Sequence, residues 1–159
     1  MSRTLVVIRH AKSDWNVPVG DRHRPVGVRG RRQAPAAGRW LREEGLVPDL
    51  AIVSVAQRAR ETWDLVAAEL GGEVPTEASE AAYTFAGEDL VELVRAAPEV
   101  TTLAIVGHNP AMEELVQALT GEWVRLKTSA IAVIDLPDWA SPGTLRYAGR
   151  PADDATPRE

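Results

Sequence analysis

The sequence predicts an α/β protein, a three-layer α/β/α sandwich around a mainly parallel sheet. Two observations carry that reading. Short β-branched apolar runs alternate with stretches whose apolar residues recur at helical spacing, and three of those runs end in a polar cluster. Thr4 to Ile8 is the first buried strand, a compact apolar run bounded by polar residues. Residues 11–26, with Asp, Asn, Gly and two prolines, form an irregular loop. From about Arg29 to Glu44 the spacing of Ala34, Ala37, Trp40 and Leu41 is helical, and Gly45 marks the stop. Pro48-Asp49 opens a second strand, Leu50 to Val53. A second helix follows over Gln57 to Leu70, with Ala59, Trp63, Val66, Ala67 and Leu70 on one face and Gly71-Gly72 at its end. A third helix spans about Gly87 to Ala97. Thr101 to Val106 is the third clear strand, and Asn109-Pro110 is read as the cap of a helix reaching about Leu119. Ala130 to Ile134 and Thr144 to Tyr147 make a hairpin. Residues 1–150 are thus read as a single domain, and residues 151–159 as a frayed tail rich in proline and charge.

Composition narrows the function classes. The chain has 159 residues, 45% hydrophobic and 26% charged, which suits one folded domain rather than a disordered segment. With 18 basic and 23 acidic side chains the formal charge is -5, which argues against a nucleic-acid partner. The absence of cysteine excludes disulfides, thiol catalysis and thiolate metal sites. No apolar run approaches the ~20 residues of a membrane span. Only a short apolar stretch precedes Arg9, so no secretion signal is read and a cytoplasmic location is expected. The charge is uneven, however. Residues 1–60 hold 12 basic and 5 acidic groups, a net of +7, and all but two of the chain's basic residues are arginine. Arginine's planar fork pairs with phosphate oxygens, so the basic N-terminal part suits a phosphate-bearing ligand, even though Arg29, Arg31, Arg32, Arg39 and Arg42 read as the wet face of a helix.

The three polar clusters at strand ends are Arg9-His10, Ser54 to Arg58 and Gly107-His108-Asn109. In parallel α/β sheets, ligands collect where strands lead into helices. A neutral imidazole is a competent nucleophile toward phosphorus, and an unperturbed pKa of ~6.5 leaves His10 largely unprotonated near neutrality. Arg9, Arg58 and His108, one from each strand end, are suited to neutralise a phosphoryl group in transfer. The helix that starts after His108 adds a positive dipole end. No metal or other cofactor is required by such a site.

These residues also fall into motifs. Arg9-His10-Ala11-Lys12-Ser13-Asp14-Trp15-Asn16 resembles the R-H-G-x-[TS]-x-x-N signature of the histidine phosphatase superfamily, whose fold is phosphoglycerate-mutase-like. Gly30-Arg-Arg-Gln-Ala34 resembles the family's G-x-x-Q-A helix start. Ser54-Val-Ala-Gln-Arg58-Ala-Arg-Glu-Thr62 resembles its S-x-x-x-R-A-x-x-T, and Gly107-His108-Asn109-Pro110 its G-H-N-P box. The R-H-A-K-S-x-W form and the Asp21-Arg22-His23-Arg24-Pro25 segment look most like the SixA-type phosphohistidine phosphatase branch. The resemblance covers residues 4 to about 120. It implies that His10 becomes phosphorylated while Arg9, Arg58 and His108 hold the phosphoryl group. It further suggests Asn16, Ser13, Lys12 and Arg24 as substrate or phosphate contacts, Asn109 as a structural cap, and Glu80 as a possible general acid. Ala11 departs from the usual glycine, and Val53-Ser54-Val55 from the usual S-S-P.

The resulting expectation is a metal-independent phosphatase with a phosphohistidine intermediate, acting on phosphohistidine in a protein partner and not on nucleic acid or membrane. Ser54 and Thr101 are only 47 positions apart, too few for the helical lid of larger relatives, which fits a bulky substrate. Small phosphorylated metabolites are the nearer alternative substrates, for a phosphatase or a mutase. A non-catalytic phospho-ligand module and a metallohydrolase built on His10, His23, His108 and Asp21 are the more distant readings.

Overall fold

Residues 2–154 are described here from a computed structural model. In chain order the elements are β1 (Arg3–Arg9), α1 (Val28–Glu43), β2 (Leu50–Ser54), α2 (Gln57–Ala67), β3 (Thr76–Ser79), α3 (Gly87–Arg95), β4 (Thr102–Gly107), α4 (Ala111–Thr120), β5 (Ile131–Leu136), β6 (Thr144–Gly149) and α5 (Pro151–Asp154). The strands make one sheet ordered β3-β2-β4-β1-β5-β6. Its first four strands run parallel, and β5 and β6 are antiparallel additions. This is the α/β sandwich that the alternation of elements predicts.

The continuous apolar run of β1 follows from its place in the middle of the sheet. Leu5, Val6, Val7 and Ile8 are all fully buried, because successive side chains face opposite sides and both sides are covered. Leu5 and Val7 join the core under α3 and α4, with Leu90, Leu115 and Val116. Val6 and Ile8 join the core under α1 and α2, with Ala37, Leu41, Trp63 and Val66. The two helices of that second layer touch at Gly38, where a Cβ would lie 2.3 Å from the Val66 carbonyl oxygen, so no larger residue fits without backbone movement. Gly45 and Gly121, at φ 71° and 77°, end α1 and α4 in the left-handed region.

Four features differ from the sequence reading. Strand β3 has no apolar alternation, since Thr76, Glu77 and Ala78 are exposed on the sheet edge, where charge is common and a core face is lacking. The 11–26 loop contains a 3₁₀ turn at Asp21–His23. Asn109 does not cap α4: its Nδ2 donates to the Leu126 carbonyl at 2.8 Å, and no side chain caps that helix. Finally, the start of the expected frayed tail is the short helix α5, which packs on α1 and has Pro151 buried; residues 155–159 lie outside the described residues. No helix among the described residues is long and apolar enough to cross a membrane.

Candidate active site

The parallel register brings the two candidate histidines together. Arg9 pairs with Gly107 across β1 and β4, so the residues that follow each strand emerge side by side. The His10 amide donates to the Gly107 carbonyl at 3.0 Å, and the His10 carbonyl accepts from Ser129, which sits at φ 62°. The imidazole rings of His10 and His108 are 5.2 Å apart. Arg58 reaches the same place from the first turn of α2. Thr62, fully buried, accepts a hydrogen bond from the Ala11 amide at 2.8 Å and donates to the Arg58 carbonyl at 2.7 Å, which ties the loop after His10 to the Arg58 turn. Gly30 lets α1 start against this loop, since a Cβ there would meet the Lys12 carbonyl at 2.5 Å.

Hydrogen bonding assigns the tautomers. His10 Nδ1 lies 2.8 Å from the Ala11 carbonyl, an acceptor only, so Nδ1 carries the proton and Nε2 keeps its lone pair. His108 Nδ1 lies 3.3 Å from an Arg58 N–H, which can only donate; His108 therefore carries its proton on Nε2 and donates to Ser54 Oγ at 2.8 Å. Burial pushes His10 down to about 3, against the raising effect of its bond to Ala11, with His108, Arg58 and Arg9 lowering it further. Burial and then Arg58 take His108 down to about 4. Both rings are neutral at pH 7, as a nucleophile toward phosphorus requires.

Asp21 organises the cations. Arg58 is 2% exposed and donates to the Asp21 carbonyl at 2.7 Å and to its carboxylate at 3.1 Å. Arg24 Nη1 pairs with the same carboxylate at 2.9 Å, and its Nε donates to Ser13 Oγ at 3.1 Å. Tyr83 adds a third donor to Asp21 at 2.5 Å. Burial works to raise Asp21, but Tyr83, Arg58 and Arg24 outweigh it and hold the carboxyl at about 2. Arg9 donates to the Leu126 carbonyl at 2.9 Å. Arg9 Nε and Arg58 Nε are buried without an acceptor, which leaves two N–H donors unsatisfied by the protein itself.

Arg9, His10, Lys12, Ser13, Arg24, Arg58 and His108 line one cavity of about 270 Å³, joined by Trp15, Asp21, Phe85, Asn109 and Thr128. Seven of the nine residues singled out from the sequence are thus brought together. Asn16 is not among them: it is exposed, and its amide bonds Asp14 within the loop at 2.9 Å. Glu80 also stands apart. It pairs with Arg22, which holds its carboxyl below the ordinary range, so it is ill-suited to donate a proton, and it lines a separate hollow with Tyr83, Thr84 and Asp89. His23 faces yet another hollow, with Arg60 and Ala78, so the metal set of the distant reading does not assemble. Two larger hollows along α3, of 460 and 440 Å³, include neither histidine of the cluster. Sequence reasoning missed the roles of Asp21, Ser54 and Tyr83 as partners of the cluster. Asp21 and Ser54 stood inside the recognised motifs, but nothing in one sequence says which carboxylate meets Arg58.

The neutral histidines make stability depend on pH. The unfolded chain takes up protons as pH falls below 6.5, whereas the folded chain does so only near 4 and 3. Stability from both groups is therefore complete above about pH 6.5 and is lost as pH falls toward those lower values. At pH 5 the loss is roughly 2 kcal/mol for each imidazole. Urea unfolding at pH 7 and pH 5 measures it directly, and equal stabilities would contradict the assignment.

The model of the histidine phosphatase superfamily (branch 1) matches residues 5–82. An uncharacterised Mycobacterium tuberculosis protein is 38% identical over 109 residues, 68% of this chain and 66% of that protein, so the match spans just under two thirds of its length. A 2,3-bisphosphoglycerate-dependent phosphoglycerate mutase of Beijerinckia indica is 41% identical over 80 residues, 48% of this chain and 39% of the mutase. Among solved structures, a Nakamurella multipartitia protein described as a phosphohistidine phosphatase SixA superposes with a TM-score of 0.81 at 25% identity, covering 94% of this chain and 96% of that one. The protein histidine phosphatase SixA complexed with tungstate superposes with a TM-score of 0.85 over 94% and 98%, at 22% identity, a likeness of fold.

Proposed function

The chain belongs to the histidine phosphatase superfamily, and we propose that it is a phosphatase that passes the phosphoryl group through His10, with phosphohistidine in a protein as the substrate. The observation that carries this reading is the neutral His10, its Nε2 unprotonated, on a cavity walled by Arg9, Lys12, Arg24 and Arg58. In the first step the Nε2 lone pair of His10 forms the bond to phosphorus. The bond from phosphorus to the leaving nitrogen breaks, and that nitrogen takes the electron pair and a proton. In the second step water attacks phospho-His10, phosphate leaves, and His10 regains its lone pair. The arginines hold the oxygens throughout, and His108, whose Nδ1 accepts from Arg58 and whose Nε2–H donates to Ser54, orients Arg58 for that task, in keeping with transfer that depends on positioning and charge neutralisation.

Two features favour a nitrogen leaving group in a large substrate. Glu80, the sequence candidate for a general acid, pairs with Arg22 and lines a hollow separate from the His10 cavity. The ring of a phosphoimidazole takes a proton from solvent more readily than the bridging oxygen of a phosphate ester, and imidazole is a better leaving group than an alkoxide, so cleavage depends less on such an acid. The cavity also ends at surface side chains, Trp15 and Phe85, which leaves room for a protein donor. The likeness to phosphoglycerate mutases favours a second reading, small phosphorylated metabolites. A panel of phosphohistidine protein, sugar phosphates and glycerate phosphates, with inorganic phosphate as the readout, separates them. Phosphohistidine protein is expected to give the largest kcat/KM; a metabolite ahead of it would replace the proposal with the second reading.

A further inference from the structure

The mouth of the His10 cavity carries two large aromatic side chains that phosphoryl transfer itself does not use. Trp15 is 69% exposed and Phe85 53% exposed, and both line the cavity. Most other large aromatics are packed away: Trp63 and Trp139 are buried, and Trp40 stacks on Tyr147 at 4.2 Å. The Trp15 ring is held in place before any ligand arrives. The Arg24 guanidinium lies 3.5 Å from its centroid, and Arg24 is itself fixed by Ser13 and Asp21. Phe85 stands 5.8 Å from the His108 ring and 6.4 Å from Tyr83, so an apolar face adjoins the imidazole of the cationic cradle.

Preorganised aromatic surface left in water next to an anion site fits a ligand that is anionic at one end and flat and apolar beside it. A leaving group without a ring leaves both faces wet. A sugar or glycerate sets hydroxyls or a carboxylate against them. We propose that Trp15 and Phe85 form a ring-binding subsite that holds the leaving group, selecting donors in which the phosphoryl group is attached to a planar unsaturated ring. This rests on the proposed phosphatase function and adds a specificity element to the same site.

The test compares ring-bearing with ringless substrates in two pairs: N-phosphohistidine against phosphoramidate, and phenyl phosphate against methyl phosphate. In Phe85→Leu, which keeps apolar bulk without the ring, the ratio of kcat/KM values within a pair, ring-bearing over ringless, falls about tenfold, mostly through KM. Trp15→Leu does the same, and Trp15→Phe restores most of the ratio. Ratios unchanged from the parent protein overturn the subsite, whether or not overall activity falls. The ester pair keeps the two claims separable: a parent enzyme that cleaves esters but neither phosphoramidate nor phosphohistidine protein defeats the phosphohistidine reading, while the phenyl-to-methyl ratio still decides the subsite.

Discussion

His10→Asn lowers kcat/KM by about four orders of magnitude on any substrate the protein turns over, a loss of the size seen when a covalent nucleophile is removed. Asparagine keeps an amide N–H near the position from which His10 Nδ1 donates to the Ala11 carbonyl at 2.8 Å, so the local loop retains its bond. The basic Nε2 is lost, and with it the atom that attacks phosphorus. The cradle of Arg58 and Arg9 remains, so the variant still binds phosphate. Steady-state assays of both proteins, beside a phosphate titration, separate chemistry from binding. Retention of a tenth or more of the parent activity would remove His10 from the reaction.

Arg58→Lys is the second large effect, a loss of about 100- to 1000-fold in kcat/KM. Arg58 uses its fork to reach the Asp21 carbonyl, the Asp21 carboxylate and His108 Nδ1 together, at 2.7, 3.1 and 3.3 Å. One ammonium group cannot span those three positions in a plane, so the variant keeps the charge and loses the geometry. Losing the Arg58 bond also relaxes Asp21 upward from about 2 toward the ordinary carboxylate range. A variant within threefold of the parent would show that charge alone suffices.

Much of this was legible in the sequence for a physical reason. A strand buried on both faces must be apolar throughout, as Leu5 to Ile8 are, and its end must then present polar residues. His10, Arg58 and His108 were found because each follows such a run. What escaped the sequence depends on partners distant along the chain. Strand β3 is exposed and carries no apolar period. Asn109 sits where a cap is expected, yet Leu126 offers its amide a carbonyl. The family resemblance offers Glu80 as a general acid, whereas the fold pairs it with Arg22, 58 residues away, outside the His10 cavity. Asp21 lies in a polar loop like several other carboxylates, and only the fold sets it against Arg58, Arg24 and Tyr83.

The most direct measurement is rapid-quench labelling with phosphohistidine protein carrying radioactive phosphate. Within the first turnover, label appears on the parent chain, is lost in acid, survives in alkali, and maps by peptide digestion to His10; His10→Asn stays unlabelled. Turnover without a labelled chain, or label on any other side chain, would contradict transfer through His10.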